Sequence, residues 1–389
     1  MKTVEVDAWL IIFRENNNDP LAKHVGCENA GQQDVFLFYF DEKGFHSKAY
    51  SPAGESKALE DINLLNEVVS VPREQSTVSL AAEFIEKKKF ERIAINTSQN
   101  NAQADGLSHI QYKALATNLS NVTIQKLVSS ENLVYEYLAI KLPAEVDIMR
   151  AAAVITAAWQ LEAYSQIEVG KTTDKDVALF LKRKIDEYGV TDAWAADQNP
   201  NVVSGTDRGH SHATSRVIQV GDVIQTDFGI KVHNTWVTDI QCFAYVLKPG
   251  ETAPPADILY YWERAKKVRA AAFDAMRPGA TGRDVDIAQR KVLKETNSIP
   301  VMWSTGHPVG YVTHDSGPKL GGATANPPNL ASLKLLKPGM TFAFDGFHSW
   351  LLPSGEPKTI SVEEMVVITE DGAEYLISPQ QDLILIGGK

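Results

Sequence analysis

Two segments of the chain share one pattern: GDVIQTDFG at residues 221–229 and GMTFAFDGF at residues 339–347. In each, a glycine leads into a hydrophobic strand, and an aspartate stands six residues after the glycine, at Asp227 and at Asp345. Burying an ionised carboxylate in an apolar strand costs free energy unless the carboxylate is paired or bound to a cation. The two segments therefore predict one structural unit with a functional acid, used twice.

The chain before these two strands also repeats. Residues 170–172 (GKT) and 279–281 (GAT) each separate two stretches with apolar residues at helical spacing. Thr173 and Asp176 have the spacing of a capping box, which predicts the start of the second helix in the first half. The order helix, turn, helix, hairpin occurs in both halves, which predicts an internal duplication with pseudo-twofold symmetry.

The first 140 residues predict a separate, smaller α/β domain. Strands are predicted at residues 8–13, 35–40 and 92–96, and a helix at residues 79–89. Pro143 fits the first turn of a following helix. We therefore divide the chain into residues 1–140 and a larger α+β domain at residues 141–389.

Composition excludes several functional classes. The chain has 389 residues and a net charge of −11, which argues against nucleic acid as a partner. The two cysteines, Cys27 and Cys242, have no metal-ligand spacing and suit a reducing compartment. Because no apolar run approaches the roughly 18–20 residues of a membrane span, we expect a cytoplasmic protein that does not bind membranes.

Each predicted hairpin carries a second acid, Asp239 in the first and Glu363 in the second. A pseudo-twofold axis would bring all four carboxylates together, and their repulsion would raise their pKa values unless cations lay between them. Oxygen ligands with one imidazole suit Mn²⁺, Co²⁺, Fe²⁺ or Zn²⁺. Two such ions about 3.5–4 Å apart can bridge a hydroxide and polarise a carbonyl, which predicts a hydrolase.

The imidazole is expected in GHPVGYVTHD, residues 306–315. His307 is the candidate ligand, and His314 is the candidate substrate-facing group. A third candidate, His210, lies in GHSH at residues 209–212, ahead of the first acidic strand. A neutral imidazole can serve both as a metal ligand and as a proton carrier near pH 7.

Taken together, these motifs resemble the pita-bread metallopeptidases, and the domain at residues 1–140 is similar to the creatinase, aminopeptidase P and prolidase branch. The resemblance implies a pita-bread catalytic domain after a creatinase-like N-terminal domain. It implies that Asp239 and Glu363 bridge two metal ions and that Asp345 also activates water. His210, 17 residues before Asp227, matches the mobile substrate-binding and proton-handling histidine. The full ligand set implied is Asp227, Asp239, His307, Asp345 and Glu363.

The function implied by the resemblance is a prolidase, an Xaa-Pro dipeptidase that cleaves the bond before proline through a metal-bridging hydroxide. The implied cofactors are two divalent ions, Mn²⁺ or Zn²⁺ first and Co²⁺ as a further candidate. His314 would contact the substrate carbonyl or the leaving nitrogen. The implied partners are a small peptide substrate and a second copy of the chain in a homodimer.

Four positions depart from the family pattern, and other functions stay open. Asp345 stands where the family has Glu, Trp236 where it has Tyr, Ser361 where it has Arg, and Trp303 where it has His. We expect Trp303 to shape a substrate pocket near His307. The alternatives are an aminopeptidase P-like enzyme acting on Xaa-Pro-Yaa peptides, a creatinase-type hydrolase that is not a peptidase, and a binding protein that has lost catalysis.

Overall fold

The computed structural model describes residues 1–15, 19–26, 32–209 and 212–387. Cys27 and His210 lie outside the described residues. The chain forms two compact units, Met1–Tyr137 and Leu138–Lys389. The boundary predicted after residue 140 lies just beyond the division between these units.

The first unit is built on one mixed six-stranded sheet. In spatial order the strands are β4, β3, β2, β1, β5 and β6; β1 runs antiparallel to β2 and parallel to β5. The strands are β1 (Ala8–Phe13), β2 (Asp34–Asp41), β3 (Gly44–Pro52), β4 (Glu67–Val71), β5 (Ile93–Ile95) and β6 (Leu127–Ser129). The helices are α1 (Ala22–Val25), α2 (Ser56–Ile62), α3 (Thr77–Lys88), α4 (His109–Thr117), α5 (Asn121–Ile124) and α6 (Glu131–Leu138), with short 3₁₀ turns at Lys2–Val4 and Ala102–Ala104.

Strand β1 shows why the first unit was predictable. All six of its residues are buried, as its continuous apolar run predicts for a central strand. The predicted strand at residues 8–13 is therefore confirmed, and the predicted helix at residues 79–89 is α3, which begins two residues earlier. Ser76 caps α3 by accepting a hydrogen bond from the Ser79 amide.

Over its described residues, the second unit contains four long helices and three sheets. Its helices are α7 (Pro143–Ser165), α8 (Asp174–Tyr188), α9 (Ala256–Ala275) and α10 (Gly282–Glu295), and a 3₁₀ turn covers Leu330–Leu333. Its strands are β7 (Thr191–Asp192), β8 (Asn201–Ser204), β9 (Val223–Phe228), β10 (Ile230–Val232), β11 (Trp236–Val237), β12 (Ile240–Val246), β13 (Gly306–Pro308), β14 (Thr341–Leu351), β15 (Pro357–Ile368), β16 (Ala373–Tyr375) and β17 (Ile384–Ile386).

Two of these sheets carry the hairpins predicted from the sequence. One has the order β17-β12-β9-β8 and the other β13-β14-β15-β16, while a small third sheet has the order β11-β10-β7. The apolar side of β9 and β12 packs on α7 and α8 through residues such as Ile224, Phe228 and Leu181. This leaves the polar residues of the hairpins to converge away from that core.

The helix starts in the two halves use the same cap. Thr173 and Asp176 form a capping box at α8, as predicted, and Thr281 with Asp284 forms the same box at α10. The helix before the first box ends at Ser165, earlier than the predicted end near Gly170. Residues 166–172 instead form the turn that leads to α8.

Hydrogen bonds outside the helices repeat as well. The Gly170 amide donates to the Ile218 carbonyl at 2.9 Å, and the Gly279 amide donates to the Leu336 carbonyl at 3.0 Å. These matched contacts join the helix–helix turn of each half to the segment before its hairpin. The internal duplication read from the sequence is therefore present at the level of individual backbone contacts.

The glycines that open the two hairpins are also equivalent. Gly221 and Gly339 have φ angles of 83° and 85°, in the left-handed region that favours glycine. The Gly221 amide donates to the Val246 carbonyl at 2.7 Å, and the Gly339 amide donates to the Ile368 carbonyl at 2.9 Å. Each glycine thus closes its hairpin against the returning strand, which fixes where the acid six residues later will lie.

No helix within the described ranges combines the length and the apolar character needed to cross a membrane.

Candidate metal centre

The first hairpin brings two acids and one amide together. Strand β9 pairs with β12 in antiparallel register, and Asp227 lies directly opposite Gln241. Asp239 comes immediately before β12 and is 4% exposed. Its backbone amide contacts the Met365 sulfur at 3.4 Å, which joins it to strand β15 of the other half.

The second hairpin places its two acids side by side. Asp345 on β14 and Glu363 on β15 are directly opposite in the antiparallel register, so both side chains lie on one face. The Asp345 amide donates to the Thr305 carbonyl at 2.9 Å, and the Gln289 side-chain amide donates to the Asp345 carbonyl. The backbone that carries Asp345 is therefore held from two sides.

His307 lies between the two hairpins. It belongs to β13, which pairs with β14, and its side chain is 21% exposed. Its Nε2 atom is 3.5 Å from Asp239 Oδ2 and 3.7 Å from Glu363 Oε1. One ligand atom from each of these three residues lies within 4.8 Å of the others.

The hydrogen bonding of His307 indicates which ring nitrogen has the free lone pair. Nδ1 lies 3.2 Å from the Pro308 carbonyl oxygen, which can only accept, so Nδ1 carries the proton. Burial, together with the nearby His314, lowers the pKa of His307 to about 4, so the ring is neutral near pH 7. The Nε2 lone pair therefore faces two carboxylates, an arrangement that is repulsive unless a cation lies between them.

The carboxylates show the same need for positive charge. Burial raises the pKa of Asp239 well above its usual range, and Asp227 and Asp345 raise it further. Burial and Asp227 likewise raise the pKa of Asp345. For Glu363 burial is again the main cause, followed by the other three acids, while a hydrogen bond from Gln241 acts in the opposite direction.

These residues fit a site for divalent metal ions. Ligand atoms about 2.1 Å from one ion lie roughly 3.0–3.5 Å apart at octahedral or tetrahedral angles. The separations of 3.5 Å and 3.7 Å around His307 Nε2 are close to that range. Four carboxylates and one neutral imidazole are also the donor set that favours Mn²⁺, Co²⁺ or Zn²⁺ over softer ions.

Of the other predicted site residues, His314 lies beside the ligand cluster. The His314 ring lies edge-on to the His307 ring, with 4.3 Å between their centroids. His210 falls outside the described residues, so its role stays a prediction. Trp303 is 39% exposed and packs on Phe347, with 6.3 Å between ring centroids. The proposed pocket-shaping role of Trp303 also stays a prediction.

Two departures from the family pattern have structural partners here. Trp236 donates its indole N–H to Glu145 Oε1 at 3.1 Å, so it connects the first hairpin to α7. Ser361 donates to Gln241 Oε1 at 2.7 Å, next to Glu363. The amide of Gln241 was missed in the sequence, although its place two residues after Asp239 on a strand puts both side chains on one face.

A buried ion pair near His314 was also missed. Lys141 Nζ lies 2.9 Å from Asp315 Oδ2, and both side chains are fully buried. Asp315 also accepts from the Tyr311 amide at 2.9 Å and from the Ser316 amide at 2.8 Å. The pair therefore anchors the segment that carries His314.

A duplicated helix–hairpin unit around a buried acid and histidine cluster defines a class of metal-dependent hydrolase, and the comparisons with known proteins agree. Residues 147–370 match the model of metallopeptidase family M24. This chain belongs to that family, whose members use divalent metal ions.

Three relatives illustrate the range of the similarity. A probable dipeptidase PepE from Mycobacterium tuberculosis is 27% identical over 187 residues, which are 47% of this chain and 44% of that protein. An Xaa-Pro dipeptidase from Pyrococcus furiosus is 23% identical over 267 residues, 67% of this chain and 69% of that protein. The crystal structure of an X-Pro aminopeptidase from Thermotoga maritima superposes with a TM-score of 0.74 and 20% identity, covering 99% of each chain.

These matches decide the fold. The chain spans less than half the length of the PepE relative, so that relative informs only the matched segment. The structural match covers nearly the whole chain, and it confirms the predicted pita-bread fold with its preceding N-terminal domain. At this level of identity the match does not transfer a substrate.

Proposed function

We propose that this chain is a metal-dependent dipeptidase that hydrolyses the bond before proline in Xaa-Pro substrates. The observation that carries the proposal is the convergence of Asp239, His307 and Glu363, with Asp227 and Asp345 in electrostatic contact with them. The proline preference is supported by the Xaa-Pro dipeptidase from P. furiosus among the relatives.

The five predicted ligands would hold two divalent ions, with Mn²⁺, Zn²⁺ and Co²⁺ as the candidates. When bound, such ions polarise a carbonyl and lower the pKa of water to roughly 7. His307 contributes a neutral ring with its Nε2 lone pair directed at Asp239 and Glu363. Asp345 lies opposite Glu363 on a backbone that Thr305 and Gln289 hold, and it contributes a second carboxylate.

His314 is proposed to contact the substrate. Its ring lies against His307, so a peptide carbonyl or leaving nitrogen near His307 would be within reach of the His314 ring. A histidine in this place can hydrogen-bond the developing negative charge or transfer a proton to the leaving group. The Lys141–Asp315 ion pair keeps the backbone around His314 in place. His210 is proposed to share the proton handling.

The test is hydrolysis of matched Xaa-Pro and Xaa-Pro-Yaa peptides by metal-free protein reconstituted with Mn²⁺, Zn²⁺ or Co²⁺. We expect proline release from Xaa-Pro peptides and little release of the free amino acid from Xaa-Ala controls. Glu363→Gln should lower kcat/KM by about 10²–10³-fold or more, the range for losing one preorganised electrostatic group. Glu356→Gln, on the exposed tip of the same hairpin, is the matched control.

The outcomes distinguish the candidate functions. No proline release with any metal would overturn the proposal. Cleavage restricted to Xaa-Pro-Yaa peptides would reassign the chain as an aminopeptidase P-like enzyme. The homodimer and the cytoplasmic location expected from the sequence stay predictions, and light scattering of the purified protein tests the first.

A further inference from the structure

We infer that Gln241 is a positioning residue of the metal site. Its side-chain amide fixes the orientation of the Glu363 carboxylate, and Ser361 with Gln225 fixes the orientation of that amide. The inference deepens the proposed function and rests on it, because it concerns the same ligand set.

Gln241 binds one oxygen of the Glu363 carboxylate. Gln241 is 5% exposed, and its Nε2 donates to Glu363 Oε2 at 3.0 Å. The other carboxylate oxygen, Oε1, lies 3.7 Å from His307 Nε2. The two oxygens of Glu363 therefore have different environments, since one is tied to the amide and the other faces the metal site.

The hydrogen bonds around the Gln241 amide each have a defined direction. Gln241 Oε1 accepts from Ser361 Oγ at 2.7 Å and from Gln225 Nε2 at 2.7 Å. An ionised Glu363 can only accept, so the Gln241 nitrogen must face it and the Gln241 oxygen must face the two donors. Rotating the amide by half a turn would set its oxygen against the Glu363 carboxylate and its nitrogen against the Gln225 nitrogen, so the network favours a single orientation.

Gln241 is a neutral residue in an acidic site. Gln241 lies opposite Asp227 in the strand register and two residues from Asp239, so its neutral amide stands among the acids. The family pattern has Arg at the position of Ser361, and a guanidinium there would offset part of the negative charge. The amide orients Glu363 without adding charge, so the negative charge of the acids is left for the metal ions to balance.

The consequence is a specific dependence of metal affinity on residues that do not bind the metal. Groups that orient metal ligands typically change metal affinity or activity by about 10–100-fold when they are replaced. Gln241→Met keeps the length and burial of the side chain and removes only its hydrogen bonding. We expect Gln241→Met to weaken binding of the tighter Mn²⁺ or Co²⁺ ion by about 10–100-fold.

The measurement is competition with a chromophoric chelator, using the full-length metal-free protein without substrate. The absorption bands of bound Co²⁺ give a second readout, because they respond to the ligand arrangement and not to overall stability. Thermal unfolding of the metal-free variant shows whether it is folded. Gln166→Ala, an exposed position after α7, is the control and should bind metal as the wild type does.

A double-mutant cycle tests whether Ser361 acts through Gln241. We expect Ser361→Ala alone to weaken metal binding several-fold and to have no further effect in the Gln241→Met background. If folded Gln241→Met binds both ions within twofold of the wild type, the inference is overturned while the proposed function stands. Should Gln241→Met not fold, Ser361→Ala with unchanged affinity and Co²⁺ bands overturns it instead. A wild-type protein that binds no metal overturns both.

Discussion

The Lys141–Asp315 ion pair gives the sharpest stability prediction, through the substitution Lys141→Met. Both side chains are fully buried, with 2.9 Å between Lys141 Nζ and Asp315 Oδ2. Lys141 also donates to the Leu138 carbonyl at 2.7 Å. Methionine has a similar shape, so the substitution removes the charge and the donors while leaving little empty space.

The expected loss of stability follows from the contacts that Asp315 keeps in Lys141→Met. Asp315 keeps its backbone donors, the Tyr311 and Ser316 amides, but its charge has no buried partner. Removing one member of a buried ion pair typically costs about 3–5 kcal/mol. For a unit of this size each kcal/mol lowers Tm by roughly 2–4 °C, so we expect Tm to fall by roughly 6–20 °C.

The assay is thermal unfolding followed by circular dichroism, with kcat/KM on an Xaa-Pro substrate measured in parallel. We expect kcat/KM to fall as well, because the same pair anchors the backbone around His314. Lys171→Met removes an exposed pair with Glu168 and should leave Tm unchanged. Adding Asp315→Asn to Lys141→Met should recover part of the loss, because the unpaired charge is then gone. A fall in Tm of less than about 2 °C for Lys141→Met would refute the reasoning.

Three further predictions concern the metal site and acid stability. Removing metal with a chelator should lower Tm, and adding Mn²⁺ or Zn²⁺ again should restore it. At a free metal concentration of 100 times Kd, one bound ion adds about 2.7 kcal/mol to the free energy of unfolding. An unchanged Tm would count against bound metal. Asp345→Asn removes one carboxylate at constant volume and should lower the metal content from two ions to one by elemental analysis, whereas two ions would show that Asp345 is dispensable. Burial lowers the pKa of His348 to about 4 in the folded chain. Because the unfolded chain binds this proton at a higher pH than the folded chain does, the free energy of unfolding falls as the pH drops from about 6.5 towards 4. Between pH 7.5 and pH 5 the loss in the free energy of unfolding is about 2 kcal/mol. His348→Phe should flatten that part of the pH profile measured by urea unfolding. Equal slopes for the wild type and the variant would contradict this prediction.

The sequence marks Asp227 and Asp345 as candidate ligands because the features that reveal them are local. A carboxylate in a hydrophobic strand is conspicuous, as Asp227 and Asp345 are, and the glycines before them mark the start of each hairpin. The capping box at Thr173 and Asp176 is local too, and it was confirmed. Features of this kind need only a few neighbouring residues to be recognised.

The orienting groups could not be predicted, because their partners are distant in the sequence. Gln241 and Glu363 meet only when β12 lies beside β15. A neutral glutamine is also common on protein surfaces, so the sequence does not mark Gln241 as a buried residue that hydrogen-bonds a ligand. Lys141 and Asp315, which form the buried ion pair, are likewise far apart in the sequence. His348 likewise meets a residue distant in the sequence, since its ring stacks on Tyr261 with 5.2 Å between ring centroids.

The matched halves of the second unit have a consequence for how the protein could be divided. Each half supplies two of the four acids, and His307 comes from the second half only. The connection after β12 includes exposed residues at positions 248–250, where the chain could be cut without interrupting a strand or helix. Two fragments separated there would each carry only part of the ligand set. We expect added metal to favour their association, because only the complex of the two fragments has all the ligands.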